Sequence, residues 1–475
     1  MRKHLISLTA GLALAAGCVD STVVEPENAP TVDALQGALT SAGVQTLALG
    51  VLAADRALVR GDLTYLTLTA IYARDAYRID PNEPRYVSET LGGQPDPGSF
   101  AGGGGWTNGF VAIRAANSLL AALPEALETQ VSPAQKSVTA GLTQTIKALD
   151  YYRLLELRDT IGLPIQAASV DSVTPLSCKK DVMNYIAAVL DSGLTSLTAA
   201  GTTQLPFAPP SGFTAFGRNY RTPANLILLN RGLKGKVDVY RGLQRPTPTA
   251  GALTAAITEL TQALGGAAPG AVPSSSFATG AYVTFVPTGT EGAANPLADA
   301  RVGLNPKAQA ALQTGDTRAS KIITRPGTDP TLSGQGLTTT LTYLGTPVSA
   351  TNQSRPLAIL RDEEVVLLRA QAYIETNQLA NATADLNSVR TAYGLAPYAL
   401  FATQAAARDA LLYEKRFSLF FEGPQRLVDL RAYGRLKAPF TSAELATDPF
   451  NSAFPIPKGE ADARGGTGNL TPVCS

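Results

Sequence analysis

Apolar residues recur at helical spacing through most of this chain, and this periodicity constrains the fold more than any other feature. Near the C-terminus, five side chains lie at successive intervals of four and three residues and therefore share one helix face: Ala406, Ala410, Tyr413, Phe417 and Phe420. The same spacing predicts helices over Leu35–Leu52, Leu58–Tyr72, Trp106–Leu123, Pro133–Arg158, Asp181–Leu197, Ala224–Tyr240, Leu253–Leu264, Leu360–Thr376, Ala380–Tyr393 and Thr403–Phe421. The pattern predicts a mainly α-helical fold.

Two stretches of the chain lack this periodicity. The first lies between Tyr77 and Trp106 and contains so many Gly and Pro residues that we expect no long regular element there. The second, residues 265–354, is rich in Gly, Pro, Ser and Thr and contains short β-prone pieces at Tyr282–Val286 and Leu337–Leu344. A stretch this long without a helix is more often functional or mobile than part of a compact core.

One pair of predicted helices has the spacing of a tetratricopeptide unit. Ala372 and Ala382 are small residues that allow two helices to approach closely, and Asn377 between them tolerates the positive φ of a tight turn. The segments Ala224–Tyr240 and Leu253–Leu264 have a similar layout with less regular spacing. Because each such pair must bury its shared face against a neighbour, degenerate pairs predict a curved helical scaffold.

The N-terminus resembles a bacterial lipoprotein signal. Arg2, Lys3 and His4 precede the apolar run Leu5–Ala16, and Gly17-Cys18 follows it. The resemblance implies a signal peptide at residues 1–17, removed by cleavage before Cys18, and lipidation of Cys18; ordinary secretion with cleavage nearby is the alternative. Residues 18–31 contain two prolines and predict a flexible tether. No later apolar run is expected to span a bilayer, so we predict a protein that is anchored to a membrane without crossing it.

We expect one domain over residues 32–475. Its helical scaffold would occupy residues 32–264 and 355–440, and a loop-rich insertion would occupy about 265–354. The two cysteines outside the signal region, Cys178 and Cys474, could form a disulfide in an oxidising compartment, or could remain two unpaired thiols.

Composition argues against several classes of activity. The chain carries 39 Lys and Arg against 38 Asp and Glu, so it lacks the basic excess of a nucleic-acid-binding protein. Its single histidine, His4, leaves with the signal peptide, which excludes a Ser-His-Asp triad and histidine zinc sites. The sequence has no phosphate-binding loop or CxxC motif, and we expect no cofactor, no metal and no catalytic residues. Paired carboxylates could still hydrolyse glycosides, but adjacent Glu363 and Glu364 would point to different helix faces.

Several short motifs follow one another along the second half of the chain. Their residues are Pro356, Leu360, Arg361, Glu364, Leu367 and Ala370; Leu386, Asn387, Arg390, Gly394 and Leu395; Glu414, Arg416, Glu422, Gly423, Arg426 and Asp429; and Pro455, Ile456, Pro457 and Glu460. With the earlier residues Trp106, Ile113 and Asn117, these motifs and their order resemble those of the SusD/RagB family, and the resemblance covers essentially the whole mature chain. One departure from the family pattern is the extra step Pro424-Gln425 between Gly423 and Arg426.

The resemblance implies a SusD-like helical scaffold and a function in nutrient capture. Family members are cell-surface lipoproteins of the outer membrane that bind glycans and deliver them to a SusC-like TonB-dependent transporter. The ligand here would be an oligosaccharide or a peptide. Two alternatives remain: a tetratricopeptide-like scaffold lipoprotein for protein–protein interaction and, less favoured, a helical glycoside hydrolase.

Glycan binding requires aromatic planes and fixed polar groups, which the family places on loops above the scaffold. The two loop regions of this chain therefore supply the candidate ligand-binding residues: Tyr77, Arg78, Arg85, Tyr86, Phe100, Tyr282, Phe285 and Tyr343. Local packing is the alternative for each of them. The sole tryptophan, Trp106, starts an apolar helix and is expected in the core. The charges of Arg361, Glu364, Glu422, Arg426 and Asp429 are expected to form structural ion pairs rather than a ligand site.

Overall fold

The structure is a computed structural model that describes residues 39–60, 65–99, 101–165, 173–246, 248–288, 292–325, 332–343, 349–441, 444 and 447–466. The predicted signal peptide, Cys18 and the tether lie outside the described residues. Helices dominate what is described. They are α1 (Ser41–Arg60), α2 (Tyr65–Tyr72), α3 (Arg85–Ser88), α4 (Trp106–Ala122), α5 (Pro133–Arg158), α6 (Lys179–Ala199), α7 (Pro223–Leu243), α8 (Ala252–Ala263), α9 (Pro306–Ala310), α10 (Ala350–Gln353), α11 (Asp362–Glu375), α12 (Leu379–Ala392), α13 (Gln404–Ser418), α14 (Gln425–Ala432) and α15 (Lys458–Ala463).

Strands are short and pair two by two, always antiparallel. They are β1 (Ala76–Arg78), β2 (Leu163–Pro164), β3 (Leu176–Ser177), β4 (Gly280–Val283), β5 (Val302–Leu304), β6 (Ile323–Thr324), β7 (Leu332–Gly334), β8 (Leu337–Thr339), β9 (Leu341–Thr342) and β10 (Leu357–Arg361). The pairs are β1 with β5, β2 with β3, β4 with β10, β6 with β9, and β7 with β8. The predicted mainly α-helical scaffold with short strands is confirmed.

The long helices pack one after another in space. α1 lies against α4, α4 against α5, α5 against α6, α6 against α7, α7 against α8, and α8 against α11, which also contacts α12 and α13. Close approach depends on small residues. Ala372 and Ala382 are fully buried at the α11–α12 pair, and Asn377 in their turn has a φ of 60° as predicted. At the α7–α8 pair, a Cβ on Gly235 would lie 2.5 Å from Cγ of Leu260, so glycine permits this crossing.

Local signals explain where the helices begin. Ser132 caps α5 by accepting a hydrogen bond from the backbone N–H of Gln135, whose side chain accepts in return from the Ser132 N–H. Pro133 then occupies the first helical position, where its missing N–H costs nothing. Thr222 is likewise the cap of α7, and Pro223 occupies its first helical position. These signals are local, so the sequence predicts both starts to within one residue.

The strand β10 corrects the predicted start of the helix at Leu360. Leu357–Arg361 is extended and pairs with β4, with a bulge between Ala358 and Leu360, and α11 begins only at Asp362. The five residues of the strand are all buried, so their apolar run is compatible with either state. Pairing with a strand more than 70 residues earlier decides the matter, and periodicity does not detect such pairing.

The segment Ser41–Tyr72 differs from the expectation that no later run could span a bilayer. By length and composition it is long and apolar enough to do so. In the fold it holds α1 and α2, and α1 packs on α4 and α5. Asp55 of α1 is buried and forms an ion pair with Arg153 of α5, and every residue of α2 is buried. The segment is therefore part of the protein core.

The final helical region bends where Pro424 predicts a bend. α13 ends at Ser418, Phe421 adopts a φ of 60°, and α14 begins at Gln425. The prediction that this helix continues to Phe421 is therefore wrong by three residues. The bend turns Glu422 toward β10 and the insertion, where it joins the site described next.

Candidate functional site

An open pocket of about 260 Å³ lies where β4 and β10 meet the loop-rich insertion and the bend after α13. Strand pairing positions one wall, because β4 carries Tyr282 and β10 ends at Arg361. The insertion supplies further side chains. The aromatic and charged residues that line the pocket are Tyr282, Lys321, Tyr343, Arg355, Arg361, Tyr393, Phe421 and Glu422.

Arg361 and Glu422 form the polar floor of the pocket. Two parallel contacts join them, Nε to Oε2 at 2.6 Å and Nη2 to Oε1 at 3.0 Å, and Arg361 also forms an ion pair with buried Glu363. Burial opposes the charge of Arg361, but the two carboxylates outweigh it and hold its pKa above the ordinary value. This guanidinium is therefore committed to the protein.

Lys321 is a second cation at the pocket, and the nearby carboxylate of Glu422 neutralises its charge only in part. Its Nζ donates to the carbonyl oxygens of Phe417 and Ser418, at 3.0 and 2.5 Å, and lies 3.9 Å from Oε1 of Glu422. Burial, reinforced by repulsion from Arg361 and only partly opposed by Glu422, lowers the pKa of Lys321 to about 8. Its charge is therefore sensitive to pH just above neutrality.

The two tyrosines predicted on the insertion both line this pocket. Tyr282 packs its ring 4.2 Å from that of Phe216 and donates its hydroxyl to the Ala278 carbonyl at 2.7 Å. Tyr343 stacks on Phe421, with ring centroids 5.5 Å apart and 21° between the planes. The structure thus brings Tyr282 and Tyr343 together. That they contact a ligand stays a prediction.

Phe285 and Tyr77, two other predicted residues, are buried in the fold. Phe285 is 4% exposed and Tyr77 is 4% exposed. The Tyr77 hydroxyl donates to Oε1 of Glu444 at 3.3 Å, and burial together with that carboxylate raises the pKa of the tyrosine. Both rings fill space inside the protein.

Two of the remaining predicted residues of the first loop, Arg78 and Tyr86, form a cluster separate from the pocket. The guanidinium of buried Arg78 lies 4.1 Å from the ring centre of Tyr86, and that of Arg301 lies 5.9 Å from the same ring. Arg78 is also 3.3 Å from Asp299, so β1 and the insertion are joined here by charge as well as by the pairing of β1 with β5. Arg85 is exposed and forms an ion pair with Glu83 at 2.5 Å. Phe100 lies outside the described residues.

The motif charges near the C-terminus form structural ion pairs, as predicted. Each pairs with a group on another element: Arg361 with Glu422, Glu364 with Lys236 at 3.0 Å, Arg426 with Asp75 at 3.1 Å, and Asp429 with Lys415 at 2.8 Å. These contacts tie α7 to α11, α13 to α14, α14 to the turn after α2, and β10 to the bend after α13. Trp106 is 5% exposed beside Phe110, which agrees with a core position.

Sequence reasoning missed three pocket residues: Lys321, Arg355 and Tyr393. They come from the insertion, from the residue before motif Pro356, and from the end of the α11–α12 pair. No local spacing links them, because only the tertiary fold brings them together. The one signal in the sequence was the position of Arg355, a cation directly before motif residue Pro356.

Cys178 is disulfide-bonded, and its partner lies outside the described residues, as does Cys474. Pairing of Cys178 with Cys474 therefore stays a prediction. Within the part of the chain that the structure describes, no group of three His, Cys, Asp or Glu side chains is placed to bind a metal ion.

Several solved structures share this architecture. Surface glycan-binding protein A from Bacteroides uniformis aligns with a TM-score of 0.65 and 14% identity, over 90% of this chain and 98% of its own. A SusD superfamily protein from Parabacteroides distasonis aligns with a TM-score of 0.64 and 13% identity, over 88% of this chain and 96% of its own. NanU from B. fragilis aligns with a TM-score of 0.61 and 18% identity, over 93% of this chain and 98% of its own. At these identities the likeness establishes the fold, a SusD-type helical scaffold.

The sequence supports the same conclusion independently. Residues 333–464 match the model of the SusD family, and this range contains the paired motif charges and most of the pocket. Among curated proteins, none matches the sequence. The chain is thus similar to the SusD/RagB family: residues 333–464 match the family model, and the described fold is of the SusD type.

Proposed function

We propose that this protein is a cell-surface lipoprotein that binds an oligosaccharide and delivers it to a SusC-like TonB-dependent transporter in the outer membrane. The observation that carries the proposal is the open pocket on a SusD-type scaffold, lined by Tyr282, Tyr343, exposed Arg355 and further polar side chains. Sugar sites combine aromatic surface with a few fixed polar groups in this way. Two structural neighbours bear names that describe glycan or carbohydrate binding, which supports the same ligand class.

The proposed mechanism is binding without covalent chemistry. Lipid on Cys18 would hold the protein at the outer leaflet, and the domain would close over the transporter mouth after capturing its ligand. Among the described residues, Glu422 lines the pocket and Glu363 stands behind Arg361, and both carboxylates form ion pairs with Arg361. A glycosidase needs one carboxyl group that is free to give up a proton and a second that attacks or activates water. This pairing favours a binding protein over a hydrolase.

The test of ligand binding is calorimetric titration of the purified protein with a panel of soluble polysaccharides. Tyr343→Ala should weaken binding of the recognised glycan at least tenfold, because it removes a pocket wall. Phe440→Ala is the matched control, since this aromatic is 53% exposed and lies away from the pocket. Equal affinity of Tyr343→Ala and the unaltered protein would contradict this site, and release of reducing sugar would contradict the binding-only mechanism.

The test of the partner is a gentle detergent pull-down of the tagged full-length protein from native outer membranes. A TonB-dependent transporter in equal amount should copurify. Other envelope proteins in its place would favour the scaffold alternative.

A further inference from the structure

The charges around the pocket do not balance. Lys321, Arg355 and Arg361 line it as cations, whereas the only carboxylate among its described lining residues is Glu422, and buried Glu363 stands behind Arg361. Three positive side chains thus face two carboxylates. Both carboxylates contact Arg361, and Lys321 reaches Glu422 only at 3.9 Å. The unmatched positive charge falls on Arg355.

Arg355 is held in place while its charged group stays available. Its carbonyl accepts a hydrogen bond from Nδ2 of Asn295 at 2.9 Å, and its N–H donates to the Asn352 carbonyl at 3.3 Å. The guanidinium lies 5.4 Å from the ring centre of Tyr343. Arg355 is exposed, and in the described ranges no carboxylate lies within ion-pair distance of it. Contact with a ring face uses none of the five N–H donors, so these can bind a ligand.

Tyr343 adds a second donor beside Arg355. Its hydroxyl forms no hydrogen bond with any described residue. Burial, with a further contribution from Glu422, raises the pKa of Tyr343 to about 12, so the hydroxyl keeps its proton at neutral pH. A protonated hydroxyl next to an unpaired guanidinium presents donors that converge on one oxyanion. Phe421 and Leu357 supply apolar surface for a sugar ring alongside.

We infer that the ligand of this pocket is an anionic sugar, whose carboxylate or sulfate is bound by Arg355 and Tyr343. The inference rests on the proposed glycan-binding function and narrows it. A guanidinium recognises planar carboxylate and tetrahedral sulfate alike through parallel N–H contacts. A neutral sugar would leave the positive charge of Arg355 unmatched.

Matched pairs of sugars test the inference. The probes are trimers of galacturonate, glucuronate and mannuronate, each with its uncharged methyl ester, and 6-sulfated galactose oligosaccharides with their unsulfated forms. Calorimetry should show that at least one acidic member binds tenfold or more tightly than its neutral partner, and that added NaCl weakens it. Preference for a uronate or for a sulfate distinguishes the two sources of charge.

Variants of Arg355 test whether this residue causes the preference for acidic over neutral sugars. Arg355→Met should bring the affinity of the acidic member down to that of its neutral partner, and Arg355→Lys should retain part of the difference. Lys458→Met is the control, because it removes one exposed positive charge away from the pocket. Its binding should be unchanged, and thermal melting should show all three variants folded.

The outcomes separate this inference from the proposed function. Neutral members that bind as tightly as acidic ones would overturn the anionic ligand and leave the glycan-binding proposal intact. Acidic preference that survives in Arg355→Met would overturn the role of Arg355. Binding by no member of any pair would contradict both the ligand class and the glycan proposal.

Discussion

The helical scaffold and the pocket use charged side chains in opposite ways. In the scaffold, many buried cations have a carboxylate partner at close distance, for example Lys415 with Asp429 at 2.8 Å, Lys236 with Glu364 at 3.0 Å, and Arg369 with Asp385 at 2.8 Å. In the pocket, exposed Arg355 has no described carboxylate partner, and Lys321 reaches Glu422 only at 3.9 Å. A buried charge costs less when it is paired, whereas a charge that faces solvent can be left for a ligand. The motif charges are paired within the fold, and the proposed binding residues Tyr343 and Arg355 occupy no motif position.

Removal of one partner from a scaffold pair should produce the largest effect. Lys415 and Asp429 are 2% and 1% exposed, and the lysine Nζ also contacts the Tyr240 hydroxyl at 3.0 Å and Gln371 at 2.9 Å. Lys415→Met would leave the Asp429 charge buried without its cation, so the free energy of unfolding should fall by about 3–5 kcal/mol. Urea denaturation followed by circular dichroism measures it.

The control for that variant removes a lysine from an exposed pair. Lys458 and Asp462 form an i,i+4 pair with both side chains largely in solvent. Lys458→Met should change stability by less than about 0.5 kcal/mol. If both variants cost the same, the distinction between structural and solvent-exposed charges would be wrong.

A smaller effect is expected where the scaffold joins the pocket. Gly280 lies in β4 opposite β10, and a Cβ there would be 2.3 Å from the Leu360 carbonyl oxygen and 2.7 Å from Cα of Arg361. These backbone atoms cannot move aside as the end of a flexible side chain can. Gly280→Ala should therefore cost about 1–3 kcal/mol of stability. It should also weaken ligand binding, because β10 carries Arg361 at the pocket floor.

Gly50 provides the matched control for this substitution. It lies within α1, and a Cβ there would meet nothing within 4 Å. Gly50→Ala should stabilise the protein by up to about 1 kcal/mol, because alanine favours a helix, and should leave binding unchanged. A Gly280→Ala protein with unaltered stability and affinity would show that the two strands separate without consequence.

The same comparison explains what the sequence could reveal. The scaffold was predictable because its signals are local: the α5 start depends on Ser132, Pro133 and Gln135, and the turn at Asn377 on one side chain that tolerates positive φ. The strand β10 was missed because its partner β4 lies more than 70 residues away and its apolar residues suit a helix equally well.

The pocket was only partly predictable for a related reason. Tyr282 and Tyr343 line one pocket, whereas Tyr77 and Phe285, which come from the same loop regions, are buried elsewhere in the fold. Composition does not distinguish a ring that faces a ligand from one that fills a loop. Arg355 acquires its significance only because no described carboxylate lies near it, which is a property of three-dimensional neighbours.

A last effect, which depends on pH, concerns Lys321, whose charge is disfavoured by burial. Its pKa is about 8 in the folded protein against 10.5 for an ordinary lysine. Between these pH values the unfolded chain binds more protons than the folded one, so this group's contribution to stability rises as pH increases. From pH 7 to pH 10 the unaltered protein should gain about 2 kcal/mol relative to Lys321→Met. Urea unfolding of both proteins at each pH measures the difference, and parallel curves would show that Lys321 titrates as an ordinary lysine.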